Sequence, residues 1–279
     1  MRFIPPGREG TASWLAFQGL LKQLLGFGTM SGILILTLVF VLLPKVAHGQ
    51  GGPPLLTDDP GTPGNRKWEI NVAFTTEHRH GERVSEAPLL DVNYGWGDRI
   101  QLKFEVPWLH VRQGDTSTKS GLGNSLVGVK WRFLDEDKDG LSLSTYPQLE
   151  FNSPGSSAER GLVDRGSRLL LPLEVQRRVG PLDLNGEAGY ELVERGRDEW
   201  VLGLAFGREV SRRLEIIGEI HGSGQLGGNE RQVVFDVGGR GKLSENYILL
   251  FAAGRSLRGP LSGERQFFAY VGIQFYFGM

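Results

Sequence analysis

The strongest constraint on the fold is an alternation of apolar and polar residues that begins at Lys67 and continues to Phe277. Successive side chains of a β-strand point to opposite faces, so this period of two predicts strands, and Gly, Asp, Asn and Ser clusters between the runs predict turns. No segment of this region shows a helical period. The predicted strands are residues 67–78, 87–94, 100–108, 127–133, 141–151, 169–175, 182–193, 199–207, 214–221, 232–241, 247–254 and 266–277.

The two faces of these strands differ in polarity. In the clearest run, Ile100, Leu102 and Phe104 share one face, and Gln101 and Lys103 share the other. The middle of each apolar face carries no charge, which is what lipid exposure requires, because a charge at the bilayer midplane costs about 2–4 kcal/mol. The alternative is a soluble β-sandwich, whose polar faces would be solvated.

Loop lengths and aromatic positions favour the membrane alternative. Connections alternate between short ones, such as 95–98 and 178–181, and long ones, such as 112–121 and 152–166, as periplasmic turns and surface loops do in barrels. Aromatic residues lie at both strand ends, as interfacial girdles would. Those at the turn end are Trp68, Trp96, Trp131 and Tyr247, and those at the loop end are Trp108, Tyr190 and Trp200.

We therefore predict an all-β protein, a transmembrane antiparallel up-and-down β-barrel of about 12 strands over residues 67–279, in contact with outer-membrane lipid. Such barrels belong to the outer membrane of Gram-negative bacteria. The strand Tyr247 to Gly254 is apolar on both faces, so the sequence leaves its inward side open.

The N-terminus carries a targeting pattern. Residues 33–43, ILILTLVFVLL, form an apolar run that follows basic residues and precedes Ala47 and Gly49, which have the small side chains that a signal peptidase needs. We expect a signal peptide over residues 1–49, a mature chain from Gln50, and a short periplasmic segment over 50–66. An uncleaved membrane anchor is the alternative.

Composition excludes several classes of function. The chain has no cysteine, which removes disulfides, thiolate zinc sites and cysteine nucleophiles. Its 31 Lys and Arg against 32 Asp and Glu give a net charge of -1, with no basic cluster for nucleic acid. Nucleic acid is therefore not an expected partner.

Polar residues on the inward faces are the candidate pore lining. Acids outnumber bases among them, so an open lumen should favour cations, whereas a network of internal ion pairs is the structural alternative. The candidates are Lys103, Glu105, Lys130, Arg132, Glu150, Glu174, Asp183, Glu187, Glu215, Glu219, Asp236 and Arg240.

Patterns that suggest other chemistry are incomplete. Residues 135–140, DEDKDG, resemble the start of a calcium loop, but Tyr146 occupies the position of the required glutamate. His78 and His80 lack a third ligand at metal-site spacing. A hydrolase would need His221 and Ser223 in hydrogen-bond contact, although neighbours on one strand face are about 7 Å apart. We expect no cofactor, no metal and no enzyme activity.

Three stretches resemble the outer-membrane transporter family named for the meta-pathway of phenol degradation. They are residues 56–64, LTDDPGTPG, leading into Trp68 and Glu69; residues 104–108, FEVPW; and residues 121–124, GLGN, leading into 128–131, GVKW. The resemblance covers most of the mature chain. It implies a barrel that passes small molecules, including aromatic ones, and a C-terminal strand read by the barrel-assembly machinery, although Gly278 and Met279 follow the last aromatic residue.

Together these patterns predict a passive outer-membrane channel for small solutes, such as small aromatic or other hydrophobic compounds. A plugged structural or adhesive barrel and an outer-membrane hydrolase are the alternatives.

Overall fold

A computed structural model describes residues 52–79, 81–114, 118–259 and 266–278. The predicted signal peptide lies outside these residues. The strand segments within them are β1 (Lys67–Arg79), β2 (Glu82–Trp96), β3 (Ile100–Gln113), β4 (Lys119–Leu122), β5 (Ser125–Leu134), β6 (Ser142–Thr145), β7 (Gln148–Phe151), β8 (Arg168–Val179), β9 (Leu182–Val193), β10 (Glu199–Ser211), β11 (Leu214–Gln225), β12 (Arg231–Lys242), β13 (Tyr247–Arg258) and β14 (Phe267–Gly278).

The strands form a closed antiparallel barrel. β4 and β5 both pair with β3 and are two pieces of one strand; β6 and β7 both pair with β5 and β8 and are two pieces of another. β1 pairs with β14 over the whole length of both and closes the sheet. The predicted 12-stranded barrel is confirmed, and each predicted strand coincides with a strand or a divided strand of the structure.

The two divided strands lie beside prolines. The strand of β4 and β5 is interrupted at Gly123, whose backbone N–H donates to Pro107 O over 2.9 Å and where a Cβ would lie 2.7 Å from Pro107 Cγ. The strand of β6 and β7 is interrupted at Pro147, whose carbonyl accepts from Val129 N over 3.1 Å. A proline cannot donate to the ladder, which explains these interruptions. Pro107 and Pro172 themselves lie within the continuous strands β3 and β8.

The connections contain two short helices, which the sequence analysis did not predict. They are α1 (Glu136–Asp139) and α2 (Gly155–Glu159). α1 begins after Asp135, whose carboxylate accepts from Asp137 N, and ends at Gly140, which has a left-handed φ of 79°. The calcium-like spacing thus coincides with a capped helical turn. In the described part of the chain no helix is long and apolar enough to cross a membrane.

The outer surface of the barrel is an apolar belt. Apolar side chains on the predicted lipid-facing side of the strands are exposed. For example, Leu204 of β10 is 58% exposed and Val129 of β5 is 51% exposed. Aromatic residues border the belt at the turn end, where Trp68 lies 4.6 Å from Tyr94 and 6.4 Å from Phe277, measured between ring centroids. Exposed apolar side chains all round a closed barrel are stable in lipid and costly in water.

The inner surface is mainly polar, with one apolar patch. The inward side of β13, which the sequence left open, carries Leu250 and Ala252, and Tyr247 and Phe251 face outward. Leu250 and Ala252 pack with three inward residues of β1, β2 and β14, which are Ala73, Leu89 and Tyr270.

Candidate functional site: the barrel lumen

All twelve candidate pore-lining residues lie on the inward faces of the strands. Lys130, Glu174, Asp183, Glu187, Glu215, Glu219, Asp236 and Arg240 are buried, and Lys103, Glu105, Arg132 and Glu150 are partly buried. Their placement matches the predicted strand faces. Their role in transport remains a prediction.

Much of this buried charge contacts the chain that precedes β1. We call residues 52–62 the luminal segment. Both carboxylate oxygens of Glu219 on β11 accept backbone N–H groups of this segment, from Leu56 and Thr57, each over 2.7 Å. Glu187 on β9 accepts from Asp58 N over 3.0 Å. Two inward acids of the barrel wall therefore hold three consecutive amides of the luminal segment.

Lys130 on β5 holds the same segment from the opposite side. Its Nζ lies 2.8 Å from Asp58 Oδ1 and also donates to Asp59 O. Glu174, 3.7 Å away, shares the cation and accepts from Ser144. Burial raises the pKa of Asp58, but the Lys130 and Lys103 ammonium groups outweigh it and hold this pKa below its usual value. Asp58 is therefore an ionised partner of Lys130 at neutral pH.

Arg240 on β12 fixes the start of the luminal segment. Its guanidinium donates to the carbonyls of Gly52 and Pro53 over 3.2 and 3.1 Å and lies 3.5 Å from Glu215. A planar guanidinium suits this arrangement, because its donors diverge toward carbonyl and carboxylate oxygens at once.

Close packing completes the attachment. Leu55 of the luminal segment packs against inward Ala205 and Ile217. Thr57 is fully buried over Gly203 of β10, where a Cβ would lie 2.3 Å from Thr57 Oγ1. Gly203 thus provides the space that the luminal segment occupies.

A second polar network lines β1, β2 and β3 beside the luminal segment. Asp91 accepts from Asn71 over 3.1 Å and from Asn93 over 3.0 Å, and Lys103 lies 3.3 Å from Asp91 and 2.8 Å from Glu105. These residues partner one another across adjacent strands. The network therefore favours the structural alternative of the sequence analysis for these particular charges.

The loop-end half of the lumen is more open. A recess of about 620 Å³ is lined there mainly by residues of β7, β8, β9 and the connection 152–167. Arg168 lies 3.0 Å from Glu191 and 3.8 Å from Glu199, and Glu150 accepts from Asn124 over 2.6 Å. The strand residues of the recess include the carboxylates Glu150 and Glu191 and the cation Arg168. The connections add Asp164, Arg165 and Arg195, so the recess carries equal numbers of carboxylates and cations.

The luminal segment is the site component that sequence reasoning missed. It belongs to residues 50–66, which the sequence analysis treated only as a short periplasmic segment, yet its backbone contacts inward residues of β9, β11 and β12. The available signal was Lys130, whose same-face neighbours on its strand are Gly128 and Arg132. A buried cation without a nearby acid on its own strand requires a partner from elsewhere.

The hydrolase alternative gains no geometric support. His221 and Ser223 lie on the same inward face of β11, and no hydrogen bond joins them among the described residues. In the same residues, no group of three or more His, Cys, Asp or Glu side chains is arranged to hold a metal ion.

A closed antiparallel barrel with an apolar exterior, aromatic borders and a polar interior defines a class: the protein is a bacterial outer-membrane β-barrel. Solved structures share this fold. The COG4313 outer membrane channel from Pseudomonas putida F1 is 15% identical, with a TM-score of 0.57 over 82% of this chain and 100% of that chain. NanC porin is 9% identical, with a TM-score of 0.55 over 74% and 98%, and KdgM porin is 14% identical, with 0.53 over 75% and 99%.

At such identities the similarity describes the fold alone. No family model matches the chain, and no curated protein matches it. The resemblance to the phenol-degradation transporter family therefore enters the functional argument as a proposal.

Proposed function

We propose that the protein is a passive outer-membrane channel for small solutes, whose lumen is narrowed by the luminal segment. The observation that carries this proposal is the chemistry of the attachment: the segment is held mainly by hydrogen bonds and ion pairs to Lys130, Glu219 and Arg240. Polar attachments can be replaced by hydrogen bonds to water as the segment moves, so the segment can shift without unfolding of the barrel.

Two features of the lumen favour different solutes. The strand carboxylates Glu150 and Glu191 on the loop-end wall support entry of cations or neutral molecules. The apolar patch around Leu250 and Tyr270 supports contact with small aromatic or other hydrophobic compounds, in line with the family resemblance. A neutral aromatic solute satisfies both features.

The second candidate is a plugged structural barrel, and the luminal segment itself favours it. Planar-bilayer recordings and liposome swelling with the purified protein separate the two functions. Ohmic current together with uptake of small neutral solutes is the result expected of a channel. Absence of both current and uptake, in protein shown to be folded, would favour the structural barrel.

A further inference from the structure

The outer face of the barrel carries a row of basic side chains at the loop end. His78 of β1 lies opposite Arg83 of β2, which lies opposite Arg112 of β3. Alternation along β1 from exposed Phe74 and along β3 from exposed Trp108 places these side chains on the lipid side. Facing residues of antiparallel strands share one face of the sheet. The row therefore borders the apolar belt.

The row continues across the closure of the barrel. His78 also lies opposite Phe267 of β14, and Phe267 lies opposite Arg255 of β13. Phe267 is 50% exposed, and Arg255 is exposed. Strands are about 4.8 Å apart, so the row from Arg112 to Arg255 extends over roughly 19 Å of the circumference.

Without a bound anion, the neighbouring positive charges of this row repel one another. Arg83 and Arg112 are direct cross-strand neighbours, and like charges in that position destabilise a sheet. No described carboxylate forms an ion pair with Arg83, Arg112 or Arg255. The outward residues of β1, β2, β3, β13 and β14 at this level include no Asp or Glu in the described ranges. An external anion would relieve the repulsion.

The opposite side of the barrel carries mixed charge at the loop end. At the loop end of β9 and β10, Tyr190 donates a hydrogen bond to Asp198 over 2.7 Å, and the connection between these strands also holds exposed Glu194 beside exposed Arg195 and Arg197. What distinguishes the wall formed by β1, β2, β3, β13 and β14 is a row of cations with no carboxylate among its described outward residues, and exposed Arg231 of neighbouring β12 extends the basic surface.

We propose that the basic row binds the phosphate groups of lipid A, the glycolipid of the outer leaflet. The row has the required position, because it faces lipid just beyond the apolar belt at the end with the long loops. It also has the required chemistry, because guanidinium groups bind phosphate through paired, charge-assisted hydrogen bonds. Exposed Phe74 and Phe267 beside the row offer contact surface for the acyl chains.

Binding of purified lipid A to the detergent-solubilised full chain, measured by native mass spectrometry, tests this site. Arg83→Gln and Arg112→Gln should each weaken binding about tenfold, because each removes a charge-assisted contact. Arg177→Gln is the matched control: Arg177 is also exposed on the lipid side, two residues beyond Val175 of β8, but at the turn end. It should leave the affinity unchanged.

The lipid itself provides the second arm. Enzymatically dephosphorylated lipid A should bind the unchanged protein as weakly as intact lipid A binds the Arg83→Gln, Arg112→Gln double variant. Equal binding of lipid A by the double variant and the unchanged protein would overturn the proposal. It would also fail if phosphatidylglycerol bound as tightly as lipid A, or if Arg177→Gln weakened binding equally. None of these results depends on whether the lumen conducts.

Discussion

Lys130 of β5 donates a hydrogen bond to Asp58 over 2.8 Å and so joins the barrel wall to a part of the chain that precedes the first strand. Both groups are held inside the barrel, where an isolated charge is costly. Part of the inward-facing charge therefore serves to hold the luminal segment, and only the remainder is available to passing solutes. This division gives separate predictions for the two halves of the lumen.

The first prediction concerns attachment of the luminal segment. Lys130→Gln removes the cation shared by Asp58 and Glu174, and breaking a buried pair from one side costs about 3 kcal/mol. We expect a lower free energy of unfolding, and a higher single-channel conductance because the segment loosens. Lys242→Gln is the control, because Lys242 forms an exposed ion pair with Glu245. Unchanged conductance and stability in Lys130→Gln would contradict the proposed attachment.

The second prediction tests the close contact between the luminal segment and Gly203 of β10, which depends on the absence of a side chain at that position. Gly203→Ala places a Cβ 2.3 Å from Thr57 Oγ1, so the luminal segment must move away from β10. At neighbouring Gly222, a Cβ would meet only Trp200 and a carbonyl at ordinary contact distances of 3.5–3.6 Å. Conductance and protease sensitivity of the segment should rise in Gly203→Ala alone. An equal response to Gly222→Ala would show that general weakening of the strands, and not the segment, was responsible.

Most of the barrel could be predicted from the sequence because its signal is local. The strand runs and lipid-facing positions such as Leu102 and Leu204 follow from period-two alternation, which each strand carries by itself. The inward side of β13 could not be predicted in this way, because both of its faces are apolar. It is determined by packing of Leu250 and Ala252 against residues of β1 and β14, which are distant in sequence.

The luminal segment was unpredictable for a related reason. Its contacts join residues far apart, such as Thr57 and Glu219, and its own sequence has no period that marks a buried surface. Lys103 illustrates the contrast, because its partner Glu105 lies two positions along the same strand. Inward charges with such neighbours can be paired from sequence alone, whereas Lys130 and Arg240 needed the folded chain.

The third prediction addresses selectivity at the loop-end mouth. Exchanging Glu150 and Glu191 together for Gln removes both strand carboxylates of the loop-end recess and should lower the preference of the lumen for cations. Reversal potentials under a salt gradient measure this preference. Glu245→Gln, at an 87% exposed side chain near the turn end, should leave the reversal potential unchanged. A double variant that kept the original reversal potential would exclude these two acids as the selectivity determinants.

The fourth prediction tests the depth of the apolar belt. Leu204 lies in the middle of β10 and is 58% exposed on the lipid side; Val179 is 52% exposed on the lipid side at the end of β8. An arginine should cost about 2–4 kcal/mol at Leu204, near the bilayer midplane, and only about 0–1 kcal/mol at Val179, where the side chain can reach the interface. Reversible urea unfolding in lipid vesicles measures both values. The two residues are exposed to lipid to a similar extent and differ in their depth in the membrane. Equal costs would therefore contradict the placement of Leu204 near the midplane.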